Sequence, residues 1–242
     1  RPKASEAMQL FKEANRMLNQ LDAVYQTHGV VNIMDANADG DDLLLNGKRF
    51  PLLRQQAAKL KKDDPFLCLS DFVRPLSSGI TDKIGAFATT VDAEMEQLYA
   101  EDDYKRMLAQ TLSDRLAEAT AEKLHEDVRK KLWGYAPDEN LSVKDLHNEK
   151  YQGIRPAVGY PSLPDQSINF LLDELLDMKQ IGISLTENGM MKPHASVCGL
   201  MFAHPASRYF SIGKIGEDQL ADYAARRGMS IEETKKFLAA NL

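Results

Sequence analysis

The chain has 242 residues, 30 basic against 36 acidic side chains, a formal charge of −6 and 43% hydrophobic residues. With a mean hydropathy of −0.40, this describes a soluble globule large enough for one sizeable core, neither disordered nor membrane-spanning. The acidic excess argues against nonspecific nucleic-acid binding, which needs dense Lys and Arg, and no apolar run approaches the roughly 20 residues of a bilayer helix. Two cysteines, Cys68 and Cys198, make no disulfide framework, so a reducing, cytoplasmic setting is expected. Because the chain opens on Arg1-Pro2 with no Met and no apolar signal core, residues 1–242 are expected to be one domain of a longer multidomain chain.

Apolar residues recur every three or four positions from Met8 through Phe11, Ala14, Leu18 and Leu21 to Tyr25, predicting a helix with Ser5 as N-cap. Val30–Met34 and Leu43–Leu45 read as strands joined by a turn over Asp35–Asp42, and Pro51 suits the start of a short helix ending at Lys59–Lys62. Phe66–Val73 and Ile84–Val91 read as further strands. From Glu94 to Trp133 there is neither Gly nor Pro, and Leu108, Leu112, Leu116, Leu124, Val128 and Leu132 share a four-residue row, which predicts one long helix or two in tandem. A short helix capped by Ser142 and another over about Asp165–Gln180 follow. Asn188-Gly189 between short β-like runs is a hairpin signal. Ala195–Phe202 and Tyr209–Ile212 continue an expected antiparallel meander, before two closing helices, the second opened by Ser230 with Glu233 as a capping box. Strands and helices come in blocks, which predicts an α+β fold on a mainly antiparallel sheet.

Several motifs fall short. Asp35-Ala-Asn37-Ala-Asp39-Gly40 begins like a calcium loop, but its twelfth position is Asn46, which cannot chelate as Glu does. Glu122 and His125 form one Glu-x-x-His step where a carboxylate-bridged metal bundle needs two. His194, Cys198 and His204 lack the fourth ligand or paired Cys of a zinc site. No nucleotide-binding glycine loop and no serine-hydrolase elbow is present. No metal is expected.

The most unusual stretch is Gly153-Ile154-Arg155-Pro156-Ala157-Val158-Gly159-Tyr160-Pro161. Each proline fixes its own φ and pushes the residue before it out of the helical region, so Arg155 and Tyr160 project from stiff, extended backbone. Gly159 permits a turn or the close approach of a ligand. A guanidinium suits a carboxylate and a phenol offers a flat face with a polar tip; a structural Pro-rich connector with a buried Arg and Tyr is the other reading of the same residues.

Arg155-Pro-x-x-Gly159-Tyr160-Pro161 resembles the signature of the S-adenosylmethionine-binding activation domain of cobalamin-dependent methionine synthase. The resemblance extends to Asp71-Phe72-Val73, Ile84-Gly85-Ala86-Phe87, Asp114-Arg115-Leu116-Ala117-Glu118, Trp133-Gly134-Tyr135-Ala136, Tyr151-Gln152-Gly153-Ile154, Ala195-Ser196-Val197, His204-Pro205 and Gly228-Met229-Ser230, in order along nearly the whole chain. It implies a single C-shaped α+β domain around a twisted antiparallel sheet. It implies also that the domain presents the methyl group of S-adenosylmethionine to cob(II)alamin on a neighbouring module, with flavodoxin or a flavoprotein reductase as electron donor. The isolated domain would then not be catalytically competent alone.

Residue by residue, the resemblance implies that Arg155 pairs with the methionyl carboxylate and that Tyr160 packs beside the ligand, facing the corrin, with Ala157 and Gly159 in the same loop. It implies Glu118 and Glu149 as acidic groups near the ligand, and Tyr209 and Phe210 as an aromatic pair on its adenosine side. Solvated carboxylates and ordinary core aromatics are the competing readings of those four. A ligand-contacting Asp of the family lies upstream of the first helix and is not in this sequence, so weaker affinity is expected. His194 stands where the family carries a smaller residue. Two other functions remain open on the residues alone: a docking module without ligand binding, and a metallohydrolase using His194, Cys198 and His204.

Overall fold

The computed structural model describes residues 2–57 and 64–242. Five described strands form the main sheet: β1 (Thr27–Asp39), β2 (Asp42–Leu45), β3 (Lys48–Pro51), β4 (Asp82–Val91) and, far along the chain, β7 (Ser196–Met201). Their order is β3-β2-β1-β4-β7 and each pairing is antiparallel. The β1–β2 turn is Gly40-Asp41, with Gly40 at φ 62° and Asp39 opposite Asp42. Asp35 and Asp39 therefore belong to a strand, and Arg49 donates to Asp39 and Asp42 at 2.6 and 2.7 Å.

β4 is buried on both faces from Ile84 to Val91. Ile84, Ala86 and Ala88 point into the larger core with Cys198 and Leu200 of β7, with Phe202 just past it, and with Ile168, Leu172 and Leu176 of α4 (Ile168–Leu176). Phe87 points the other way, onto Ala121 and Val128 at the end of α2 (Asp103–Asp127). Helices thus cover the central strands on both sides.

The face that α2 turns to the sheet is set mainly by the row beside the leucines. Ala109, Ser113, Ala117, Ala121 and His125, one position away on the four-residue repeat, are buried; of the predicted row Leu108 and, just past the helix, Val128 are buried too, while Leu112, Leu116 and Leu124 lie at the flanks and Leu132 is exposed. Small side chains let the helix lie close: the Thr89 hydroxyl donates to the Ala117 carbonyl oxygen at 2.9 Å.

Several predicted elements are corrected. The first helix, α1 (Pro2–Asp22), starts before Ser5, and of its predicted apolar stripe only Leu21 is buried, with Met17 beside it, while Met8 and Phe11 are exposed. Pro51 ends β3 and opens no helix; Lys59–Lys62 lie outside the described residues. The predicted Phe66–Val73 strand is broken after Cys68, because Asp71 accepts from the Cys68 N–H at 2.9 Å and closes a 3₁₀ turn over Leu69–Phe72. Glu94–Trp133 is interrupted. A 3₁₀ turn spans Ala93–Gln97, Tyr99 takes a φ of 59°, and Asp102 caps α2 by accepting from Lys105 N–H at 3.0 Å.

The last third is not a meander. β5 (Ser184–Leu185) and β6 (Met191–Lys192) form their own ribbon around Asn188-Gly189, whereas β7 joins the main sheet. Tyr209–Ile212 forms no strand: Phe210 N–H donates to Ser162 Oγ at 3.1 Å and Ile212 N–H to the Pro161 carbonyl at 2.9 Å. Ser142 caps α3 (Val143–His147), and Ser230 caps α6 (Ile231–Phe237) by accepting from the Glu233 N–H. Beside α6, α5 (Glu217–Arg227) is tied to the turn after the proline loop, where Tyr223 donates to Asp165 and Arg227 to Ser167, both at 2.7 Å.

The feature that places the proline loop is the outer edge of β7. Ile154 and Phe202 exchange backbone hydrogen bonds at 3.0 and 2.9 Å, Leu200 N–H donates to Pro156 O at 3.0 Å, and Val158 N–H to Cys198 O at 2.9 Å. Residues 154–158 therefore run as an irregular sixth strand, in which Pro156 keeps the bond to its carbonyl from Leu200 and forgoes only the reciprocal one that an N–H would make. The approach is tight. A Cβ on Gly199 would sit 2.2 Å from Pro156 O and 2.8 Å from Ala157 Cα, backbone that cannot swing away. Gly199→Ala should accordingly cost about 1–3 kcal/mol, as overpacking does, read as a lowered urea midpoint with an unchanged slope.

Candidate functional site

Strand alternation decides where the loop's side chains go. Ile154 and Val158 join the larger core with Phe202 and Cys198, so Arg155 and Ala157 face the α2 side. On α2 the residues Arg115, Glu118, Glu122, His125 and, just beyond its end, Arg129 recur at three- and four-residue spacing, a polar stripe along one helix face. Loop and stripe enclose a cleft of about 740 Å³.

The sequence-predicted residues Glu118, Glu149, Arg155, Ala157, Tyr160, Tyr209 and Phe210 all line this cleft. Gly159 does not; it serves the backbone, with φ 86° and its N–H donating to Leu163 O at 2.9 Å. Sequence reasoning missed Arg115 as well as Phe87, Ala121 and Val197, which supply apolar wall. Arg115 could have been found by stepping back one helical turn from Glu118; the apolar wall residues carried no signal separable from ordinary core.

Arg155 is not displayed to solvent. Its guanidinium is boxed: Nη2 donates to Glu122 Oε2 at 2.5 Å, Nη1 to the Tyr151 hydroxyl at 2.8 Å, and His125 Nδ1 lies 3.4 Å from Nη1. Burial opposes its charge, but the surrounding Tyr151, Tyr209 and Glu122 outweigh that and raise its pKa. The Glu122-x-x-His125 step is thus part of the arginine's housing. Behind it Arg129, fully buried, is forked to Glu139 at 2.7 and 2.6 Å and lies 4.3 Å over the Tyr151 ring. A π-helical turn over Val128–Leu132 follows α2 and carries Arg129.

The remaining cleft residues are held by different means. Tyr209 accepts from the Arg155 N–H at 3.0 Å, and burial raises its pKa. Phe210 bridges readings: it lines the cleft, yet also packs on Phe72 with ring centroids 6.3 Å apart. Tyr160 is half exposed and donates to Glu118 Oε1 at 3.2 Å, while Arg115 Nη1 donates to Oε2 at 2.7 Å. Glu149 holds a left-handed φ of 52° just past α3, a conformation that non-glycine residues take at a cost of about 1–2 kcal/mol. The described residues contain no group of His, Cys, Asp and Glu arranged to hold a metal ion, and none of their helices is long and apolar enough to cross a membrane.

A family model for the activation domain of vitamin B12-dependent methionine synthase matches residues 1–228. The chain belongs to that family. Among solved structures, the crystal structure of the MetH reactivation domain bound to AdoHcy is 45% identical to this chain, with a TM-score of 0.91. That match covers 98% of this chain and 78% of the other. The α+β architecture, with its antiparallel sheet and flanking helices, is therefore that of the methionine synthase activation domain, part of a multidomain methyltransferase.

The housing of Arg155 makes stability pH-dependent. Burial first, then the charges of Arg129 and Arg155, push the His125 pKa well below its ordinary value. The unfolded chain takes up a proton at His125 near pH 6.5 while the folded one resists it. Its contribution is complete above that pH and is lost on acidification, at about 1.4 kcal/mol per pH unit. His125→Gln should flatten this slope when urea unfolding at about pH 7.5 and about pH 5 is compared.

Proposed function

We propose that the cleft binds S-adenosylmethionine and holds it with its methyl group toward the Tyr160 mouth, for reductive methylation of cobalamin on a neighbouring module of the parent enzyme. The observation that carries this reading is the set of charged groups on a single partly apolar cleft of about 740 Å³: the housed guanidinium of Arg155 and the carboxylates of Glu118 and Glu149, with the exposed Arg115 bound to Glu118, in a volume within the range of small-molecule sites. The residues fit a zwitterion with an additional cation. S-Adenosylmethionine supplies a methyl group activated by its sulfonium.

Arg155 pairs with the amino-acid carboxylate. It is pre-oriented by Glu122 and Tyr151, so little side-chain entropy is lost on binding. Glu118 and Glu149 face the cationic part of the ligand, Ala157 leaves room beside the backbone, and Tyr209 and Phe210 form the wall for the nucleoside. Tyr160, presented by the Pro161-braced turn, flanks the mouth. The chain alone binds and presents; the methyl acceptor lies on the cobalamin module, and the electron comes from flavodoxin or a flavoprotein reductase. The match to a reactivation domain bound to AdoHcy supports the choice of ligand class.

Calorimetry on this chain should show S-adenosylmethionine binding, and Arg155→Ala should lose about 1.5–3 kcal/mol, roughly 10- to 100-fold in affinity. Equal affinity in both would refute the role of Arg155, and a thermal midpoint unmoved by the ligand would favour a docking module instead. Glu149→Asn separates fold from binding. Asn tolerates the left-handed backbone, so the unfolding midpoint should hold while affinity falls about tenfold.

A further inference from the structure

Glu118 has both carboxylate oxygens engaged at the mouth of the cleft. Oε1 accepts from the Tyr160 hydroxyl at 3.2 Å and Oε2 from Arg115 Nη1 at 2.7 Å, and all three residues line the cleft. Arg115 and Glu118 lie one turn apart on α2, with side chains 73% and 41% exposed. The pair is therefore solvated and can exchange partners, unlike the housed Arg155–Glu122 pair. Counted over the cleft wall, Arg115 and Arg155 balance Glu118 and Glu149.

Resting on the ligand reading above, we infer that Arg115 sets the cleft's preference between the sulfonium donor and its thioether product. The two ligands share a carboxylate, an ammonium and an adenosine; they differ by a methyl group and one positive charge. A carboxylate near the sulfonium favours the donor over the product, and a guanidinium on that carboxylate takes back part of the advantage. Arg115 acts through Glu118 and reaches no reacting atom. It moderates the donor's electrostatic lead, and because the pair is exposed its influence is modest and screened by salt.

Titration calorimetry with S-adenosylmethionine and S-adenosylhomocysteine on the wild-type chain, Arg115→Gln and Arg115→Lys tests this. Arg115→Gln should raise the donor-to-product affinity ratio about two- to fivefold at low ionic strength. The increase should shrink toward 1 M salt, and Arg115→Lys should keep the wild-type ratio. A ratio unchanged in Arg115→Gln, an increase indifferent to salt, or equal weakening of both ligands would overturn the inference while leaving the ligand reading intact. Failure of both ligands to bind the wild-type chain would overturn the ligand reading and this inference together. Thermal melts of the variants control for folding, since an exposed arginine on a helix surface should leave the midpoint in place.

Discussion

The site depends on one backbone contact, the pairing of residues 154–158 with the free edge of β7. Four hydrogen bonds between these segments fix the register, and Gly199 lets the chains meet where any side chain would hold them apart. Once that register is set, alternation leaves no freedom: Ile154 and Val158 go into the larger core, and Arg155 and Ala157 turn toward α2. A slip of one residue would exchange the two sets, burying a guanidinium among leucines. The prolines act on the same constraint, since residues 156 and 161 stiffen the segment at either end of its turn.

The second wall is α2, which does two jobs with adjacent rows of one helix. Its small residues let it approach the sheet, and its polar stripe carries carboxylates and a neutral histidine to the loop arginine. The charge at Arg155 is stable in this partly buried place only because Glu122 and two tyrosine hydroxyls surround its donors and backbone. Removing water from that corner strengthens each of these interactions. The buried Arg129–Glu139 fork behind Tyr151 stiffens the housing from the far side.

Much of this was legible in the sequence because the signals were local. The Arg-Pro-x-x-Gly-Tyr-Pro stretch announces a rigid loop by the sterics of proline alone, and its likeness to a family signature directed attention to seven residues that do line one cleft. Ser142 and Ser230 mark helix starts through hydrogen bonds within three residues. The errors have two sources, a partner distant in sequence and a local hydrogen bond that competes with a strand. Tyr209–Ile212 is apolar enough for a strand but binds the proline turn. Phe66–Val73 is diverted by the Asp71 carboxylate. The leucine row of α2 predicted a helix but not which face lies closest to the sheet, because that closeness is set by the small residues beside it.

The sequence by itself determined the element types with strong periodicity, the turn at Asn188-Gly189, and the stiffness of the loop bearing Arg155, since these follow from dihedral preferences and neighbours a few residues away. Only the tertiary structure decided that this loop becomes an edge strand, that Glu122, His125 and Tyr151 form the housing of its arginine, and that Arg115 shares the Glu118 carboxylate. The reason is that charge at Arg155 is governed by groups 4 to 54 residues away, brought within hydrogen-bonding distance only when β7 and α2 pack against the same central strands.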